Sequence, residues 1–203
     1  MAIKRNNILY LASKRKSCRL FSEKAVDVED VLYAIRVACE APSGANSQPW
    51  RFMLITDKDV KKEVREVCER SEMKFYSNIK GELKTWLEKK GLNWSKPFLT
   101  QAPILLAVFT EVGKPYAIQS TWLAIGYLLL ALEERGLGSL TYTPPEPSAI
   151  EEILNVPDTF KLQTIIPIGY SMDPKPKEPR RNFMELLRFN RWNSSQKIGV
   201  ERE

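Results

Sequence analysis

Val28, Val31, Leu32, Ile35, Ala38 and Cys39 recur at the spacing of one helix face, and Pro42-Ser43-Gly44 ends the pattern. Asp27 stands just before the first of them as an N-cap, a carboxylate able to accept from an unpaired amide of the first turn. This helix delivers a loop, 41–49. Residues 51–56 read as a strand, and Asp57 with Asp59 opens a second helix reaching about residue 77. The continuous apolar run 104–109 fits a buried strand. Helical spacing returns over 117–135 and stops at Gly136. A short strand, 139–143, ends at Pro144-Pro145, and Pro147 begins a small helix through residue 154. The last strand, 162–170, contains Pro167, which cannot donate to a ladder, so it is expected near an edge or an irregularity.

Between these elements, 78–97 is charged yet holds Trp86 and Trp94, which suits a lid or an interface segment, or simple packing of both indoles against the body. From Met172 a proline-rich stretch, 173–179, reads as an extended, semi-rigid arm leading to a short amphipathic helix over 183–189. The pattern predicts one domain, 1–192, whose arm spans 171–192, with a disordered tail over 193–203.

Composition narrows the chemistry. At 203 residues and 43% hydrophobic content the chain can bury one sizeable core. It contains no histidine, which excludes Ser-His-Asp and Cys-His catalysis and the HExxH zinc site. Cys18, Cys39 and Cys68 form no CxxC pair and read as free thiols of a reducing compartment; no metal site is expected. The apolar runs 8–12 and 122–132 are too short for a signal peptide and a membrane span respectively, so a cytoplasmic protein is expected. No GxGxxG or P-loop pattern occurs.

The formal charge of +6 suits an anionic partner. Lys4, Arg5, Lys14, Arg15, Lys16, Arg19 and Lys24 crowd the N-terminal segment, and Arg180-Arg181 sits in the arm. Arginine forks match phosphate oxygens, so these groups could hold one phosphate monoester; a solvated basic face is the alternative. Nucleic-acid binding would need the run extended and interleaved with aromatics, which it is not.

Two segments sharpen this. Arg15-Lys16-Ser17-Cys18-Arg19-Leu20-Phe21, followed after one helix by Ala41-Pro42-Ser43-Gly44-Ala45-Asn46-Ser47-Gln48-Pro49-Trp50, resembles the nitroreductase family of FMN-dependent oxidoreductases, marked by RRSxRxF and then APSGxNxQPW. Gly136-Leu137-Gly138-Ser139, Ile168-Gly169-Tyr170 and Arg181 also fall where that family has them. The resemblance implies an α+β fold of three layers, a central mixed sheet flanked by helices, built as an intertwined homodimer with an FMN at each of two interface sites. It assigns the FMN phosphate and ribityl chain to Arg15, Lys16, Ser17, Arg19 and Arg181. Pro42, Ser43 and Gly44 would line the flavin ring from the other subunit, and Asn46 would meet the ring edge. Thr141, Tyr142 and Thr143 would pass the ring, with Thr141 or Thr143 near its N5 as the catalytic contact. Gln48 is expected to act behind the ring contacts, and Trp50 in the core.

Within the family, Thr141-Tyr142-Thr143-Pro144 is similar to the TTTP of the iodotyrosine deiodinase branch, with Tyr142 in place of the middle threonine. Glu72 and Tyr76 fall on that branch's substrate-binding Glu and Tyr, and Asn93-Trp94-Ser95-Lys96 resembles its NWxK segment. The branch thus implies substrate contacts at Ala45, Glu72, Tyr76 and Lys96. Chemically the last three suit a zwitterion, Glu72 for an ammonium, Lys96 for a carboxylate and Tyr76 between them, although Glu and Tyr at i, i+4 fit a solvated helix face equally well. The implied activity is ping-pong electron transfer from NADH or NADPH through FMN to a small aromatic acceptor, with reductive dehalogenation of a halotyrosine on the branch pattern. The Asn46-Ser47-Gln48 loop has the general nitroreductase form, which leaves open a nitroaromatic or quinone reductase, or a non-catalytic flavin-binding protein.

Overall fold

In the computed structural model, which describes residues 7–192, the apolar run from Ile104 becomes strand β2 (Ile104–Glu111). Successive residues of a strand face opposite ways, and both sets here are apolar. Ile104, Leu106 and Val108 enter one buried cluster, while Leu105, Ala107 and Phe109 enter another. β2 therefore needs cover on both faces. Strand β1 (Trp50–Ile55) pairs along one side of it, strand β4 (Phe160–Gly169) along the other, and strand β3 (Gly138–Ser139) beyond β4. All three pairings are antiparallel. The parallel part of the expected mixed sheet is confined to one bridge, Ser17 with Ser139.

Six helices build the covering layers. On the face of Ile104, α2 (Val28–Cys39) and α6 (Ala117–Glu134) bury Val31, Ala34, Ala38, Ala124, Ile125 and Leu128. Asp27 caps α2 as its position predicts, accepting from the Glu29 amide at 3.0 Å. Trp50 joins this core, as expected. On the face of Leu105, α3 (Lys58–Asn78), α5 (Phe98–Gln101) and α7 (Pro147–Ile153) bury Val64, Cys68, Leu99 and Ile150. A first helix, α1 (Ile8–Lys14), runs beside α6. The result is the three-layer α+β arrangement. No helix among the described residues is long and apolar enough to cross a membrane.

Two sequence expectations are corrected. Pro167 lies in an interior strand, because β4 is flanked by β2 and β3. The Ile165 amide donates to the Tyr142 carbonyl. Two residues on, the missing amide of Pro167 points the same way, into the gap between that bridge and the two-residue β3. The ladder's register shift is elsewhere, between Val108 and Phe109. Strand 139–143 is likewise shorter than expected, reduced to Ser139 in β3 and the Tyr142–Ile165 bridge.

Helix α4 (Gly81–Lys89) carries the charged segment, and Trp86 and Trp94 remain 51% and 42% exposed, so neither indole is packed into the body. The arm ends in a single turn, α8 (Phe183–Leu186), where Asn182 caps the Met184 amide. It is shorter than the expected 183–189 because Leu187 is already extended. Residues 193–203, Lys4 and Arg5 lie outside the described residues.

Candidate functional site

Residues 140–143, which follow β3, together with α3 and the segment after α4, line an open cavity of about 510 Å³. Seven of the expected site residues line it: Arg19, Glu72, Tyr76, Lys96, Thr141, Tyr142 and Thr143. Helix α3 supplies Glu72 and Tyr76 from one face, since residues four apart lie one turn above each other. Glu72 is not on a solvated surface, at 6% exposed, and Tyr76 is half-buried.

At this end of the cavity the side chains hold one another. Lys96 Nζ lies 3.2 Å from Glu72 Oε2, and both side chains are about nine-tenths buried. Tyr142 donates its phenolic proton to Glu72 Oε1 at 2.9 Å. Lys96 also donates to the Asn93 carbonyl and stands 5.1 Å from the centre of the Tyr76 ring. Burial lowers the Lys96 pKa, and the neighbouring Glu72 carboxylate only partly opposes it. Burial and the Glu72 charge raise the Tyr76 phenol. Tyr142 is raised as well, by burial first and then by Cys68 and Glu72, while the Cys68 thiol beside it is pushed up to about 12 by burial. The raised groups, Tyr76, Tyr142 and Cys68, keep their protons at neutral pH. Thr143 donates to the Gln163 carbonyl at 3.2 Å, which leaves its oxygen an acceptor on the cavity side.

The basic motif lies at the C-terminal end of α6. Lys14, Lys16, Cys18, Glu133, Gly136 and Gly138 line a small neighbouring hollow. Burial lowers the Arg15 pKa despite the nearby Glu133 charge, and it raises that of Glu133 despite Arg15 and Lys177. Lys16 donates to the Asp173 carbonyl at 2.6 Å and to that of Lys175, tying the arm to the motif. Ser17 is held in the bridge to Ser139. Of the arm's basic pair, Arg180 is felt electrostatically at Arg15, while Arg181 is exposed.

The second motif lies elsewhere. Pro42, Ser43, Gly44, Ala45 and Asn46 do not line the cavity; the loop rests on the N-terminal end of α6, where the Gly44 amide donates to Ser120 Oγ at 3.2 Å. A Cβ on Gly44 would meet the Pro115 carbonyl at 2.6 Å, so it is this chain's own backbone that requires glycine here. Ala45, Asn46 and Gln48 all adopt positive φ, between 44° and 53°, held by the Gln48 amide donating to Ser43 Oγ at 3.0 Å. Such left-handed residues cluster where a fold positions a functional surface. Among the described residues, two buried side-chain polar atoms have no hydrogen-bond partner, Arg15 Nε and Ser47 Oγ, one in each motif. An unmet buried donor costs about 1–3 kcal/mol.

Three contributors escaped the sequence reading. Glu69, one turn before Glu72, accepts from the Lys96 amide at 2.7 Å, from Ser95 Oγ at 3.1 Å and from Arg65 Nε at 2.9 Å. Burial would raise its carboxyl, but the Lys96 amide and Arg65 outweigh that and hold its pKa below the ordinary value. Asp173 accepts from the Arg19 amide at 2.9 Å, and Lys175 lines the cavity from the arm. The i, i+4 pair of Arg65 with Glu69 was the available signal for the first; the arm residues had none.

The nitroreductase family model matches residues 12–170. An iodotyrosine deiodinase of Thermotoga neapolitana is 52% identical over 180 residues, 89% of this chain and 96% of that one. Iodotyrosine deiodinase 1 of Homo sapiens is 36% identical over 181 residues, covering 83% of this chain and 63% of the human one. A crystal structure of oxidized iodotyrosine deiodinase bound to FMN and 3-iodo-L-tyrosine superposes with a TM-score of 0.89 at 50% identity, over 92% of this chain and all of that one.

Proposed function

The chain belongs to the nitroreductase family, and from that footing we propose that it is an FMN-dependent oxidoreductase that reductively removes halogen from a halotyrosine. The observation that carries the substrate is the convergence of Glu72, Tyr76 and Lys96 on one cavity with Thr141 and Thr143.

The residues fit FMN. Arg15 brings a half-buried guanidinium whose buried Nε lacks an acceptor, and a phosphate oxygen supplies one. Lys14, Lys16 and Lys177 add charge around Glu133, and Arg180 adds it beside Arg15. When bound, FMN supplies the electron store between NADH or NADPH and the halogenated ring. Arg15, Lys16, Ser17 and Arg19 then hold its phosphate and ribityl chain with Arg181 closing from the arm, Thr141, Tyr142 and Thr143 border the ring, and Pro42, Ser43, Gly44 and Asn46 reach it from the other subunit of a homodimer. Glu72 takes the substrate ammonium and Lys96 its carboxylate, with Tyr76 between them, and Ala45 comes against the aromatic ring with its loop from the other subunit. An incoming amino acid therefore exchanges the Glu72–Lys96 ion pair for two new pairs, and neither buried charge is left alone. Helix α4 and Trp94 close over the ligand and exclude water.

The test is spectroscopic. The purified protein is expected to be yellow, to bleach anaerobically with NADH or NADPH, and to regain colour on 3-iodotyrosine with release of iodide. Colour regained with a nitroaromatic or quinone but not with iodotyrosine would assign it to the general reductases, a reading the Asn46-Ser47-Gln48 loop favours. A yellow protein that dithionite bleaches but no acceptor turns over would be a flavin-binding protein without this activity.

A further inference from the structure

Glu72 is held from two sides by groups of different origin. Lys96 comes from the segment after α4, whereas Tyr142 belongs to the stretch whose neighbours, Thr141 and Thr143, line the same cavity. Tyr142 is fixed at every point. Its amide donates to the Ile165 carbonyl at 2.9 Å, and its carbonyl accepts from the Ile165 amide at 2.8 Å. Its ring stands edge-on to Phe98 at 5.5 Å, and it is 8% exposed.

A carboxylate turns easily about its last torsion, so one contact does not orient it. With Lys96 alone, both Glu72 oxygens could turn to the ammonium and away from the cavity. The Tyr142 hydroxyl has one proton to give and gives it to Oε1, which commits one oxygen to the sheet and the other to Lys96. The carboxylate plane is then set relative to Thr141 and Thr143.

We propose that Tyr142 is a positioning residue that orients the Glu72 carboxylate toward the substrate ammonium, and so sets the preference of this site for α-amino acids over their amine-free counterparts. This rests on the reading of Glu72 as the ammonium partner. Tyrosine at this position, rather than threonine, is what reaches Glu72: the phenol spans from the strand to α3, and the threonine hydroxyl sits next to the backbone.

The experiment uses the FMN-loaded protein and flavin fluorescence titrations with two ligands, 3-iodotyrosine and 3-(4-hydroxy-3-iodophenyl)propionate, which lacks the amine. Tyr142→Phe keeps the ring against Phe98 and removes only the hydroxyl. Iodotyrosine affinity is expected to fall about tenfold, the amine-free ligand to stay within about twofold, and FMN content to match the parent. Adding Tyr142→Phe to Glu72→Gln should weaken iodotyrosine binding no further, because the two act through one carboxylate. Equal loss for both ligands, no loss for either, or additive effects in the double variant would overturn the role of Tyr142 while a selective loss in Glu72→Gln leaves the ammonium reading standing. If Glu72→Gln binds iodotyrosine as the parent does, the ammonium reading fails and Tyr142's role fails with it.

Discussion

At the scale of single residues, Arg15 is the clearest case of a side chain placed for something other than stability. Its Nε is buried with no partner among the described residues, and burial lowers its pKa even with Glu133 nearby. Both facts mean that the folded chain tolerates this guanidinium at a cost of about 1–3 kcal/mol for the unmet donor. Arg15→Met keeps the apolar stem and removes the charge. The FMN-free protein is then expected to melt no lower than the parent, while FMN affinity drops about tenfold to a hundredfold through the lost charge-assisted bonds, read by quenching of added flavin. A lower melting point with unchanged FMN affinity would instead make Arg15 a structural counterion of Glu133.

At the scale of elements, α3 is the part that carries the substrate end, with Glu69, Glu72 and Tyr76 on one face and Val64 and Cys68 beneath them. Its start is set by Asp57, whose carboxylate accepts from the Asp59 and Val60 amides at 2.8 and 3.0 Å. Asp57→Ala is expected to cost about 1 kcal/mol. That is a fall of about 2–4 °C in melting temperature for a chain of this size, with iodotyrosine affinity retained because packing holds the helix further along. Caps and apolar periods of this kind are legible in sequence because their partners lie within a few residues, which is why Asp27, Asp57 and the buried run at Ile104 read correctly. Pro167 marked an interruption in the ladder and not a sheet edge, because its tolerance depends on how far β3 extends across the sheet. The pairing of the Tyr142 side chain with Glu72, a residue of a different layer, was not legible, because nothing in the sequence brings the two together. Glu72, Tyr76 and Lys96 were legible only through resemblance, since spacing alone fits a solvated face equally well. Glu69 left only its i, i+4 pairing with Arg65, and Asp173 and Lys175, which act across the fold from the arm, left no local mark.

At the scale of the whole molecule, the two flavin motifs lie at opposite ends of α6. The loop carrying Gly44 rests on Ser120, while the basic motif gathers around Glu133. Thirteen residues of helix separate these points, about 20 Å at 1.5 Å per residue, a spacing that suits the homodimer proposed above, in which each flavin takes one motif from either subunit. Between the two ends α6 exposes Ile118, Trp122, Leu123 and Tyr127, and α2, packed against it, exposes Val28 and Leu32, large apolar side chains of the kind that mark an association surface. In the homodimer proposed above, a two-fold axis across that surface with the two α6 helices antiparallel would set the loop of one subunit against the basic end of the other, and would do so twice, as a self-complementary interface must. Leu123→Glu puts a charge in the middle of this stripe, where it touches nothing the fold of one subunit needs. Light scattering is expected to show the parent at twice the chain mass and the variant at once that mass, with bound flavin lost from the monomer because each site then lacks its second motif. A Leu123→Glu monomer that keeps one FMN per chain at the parent's affinity would mean that a single subunit completes its own site, and the separation of the motifs along α6 would then need another explanation.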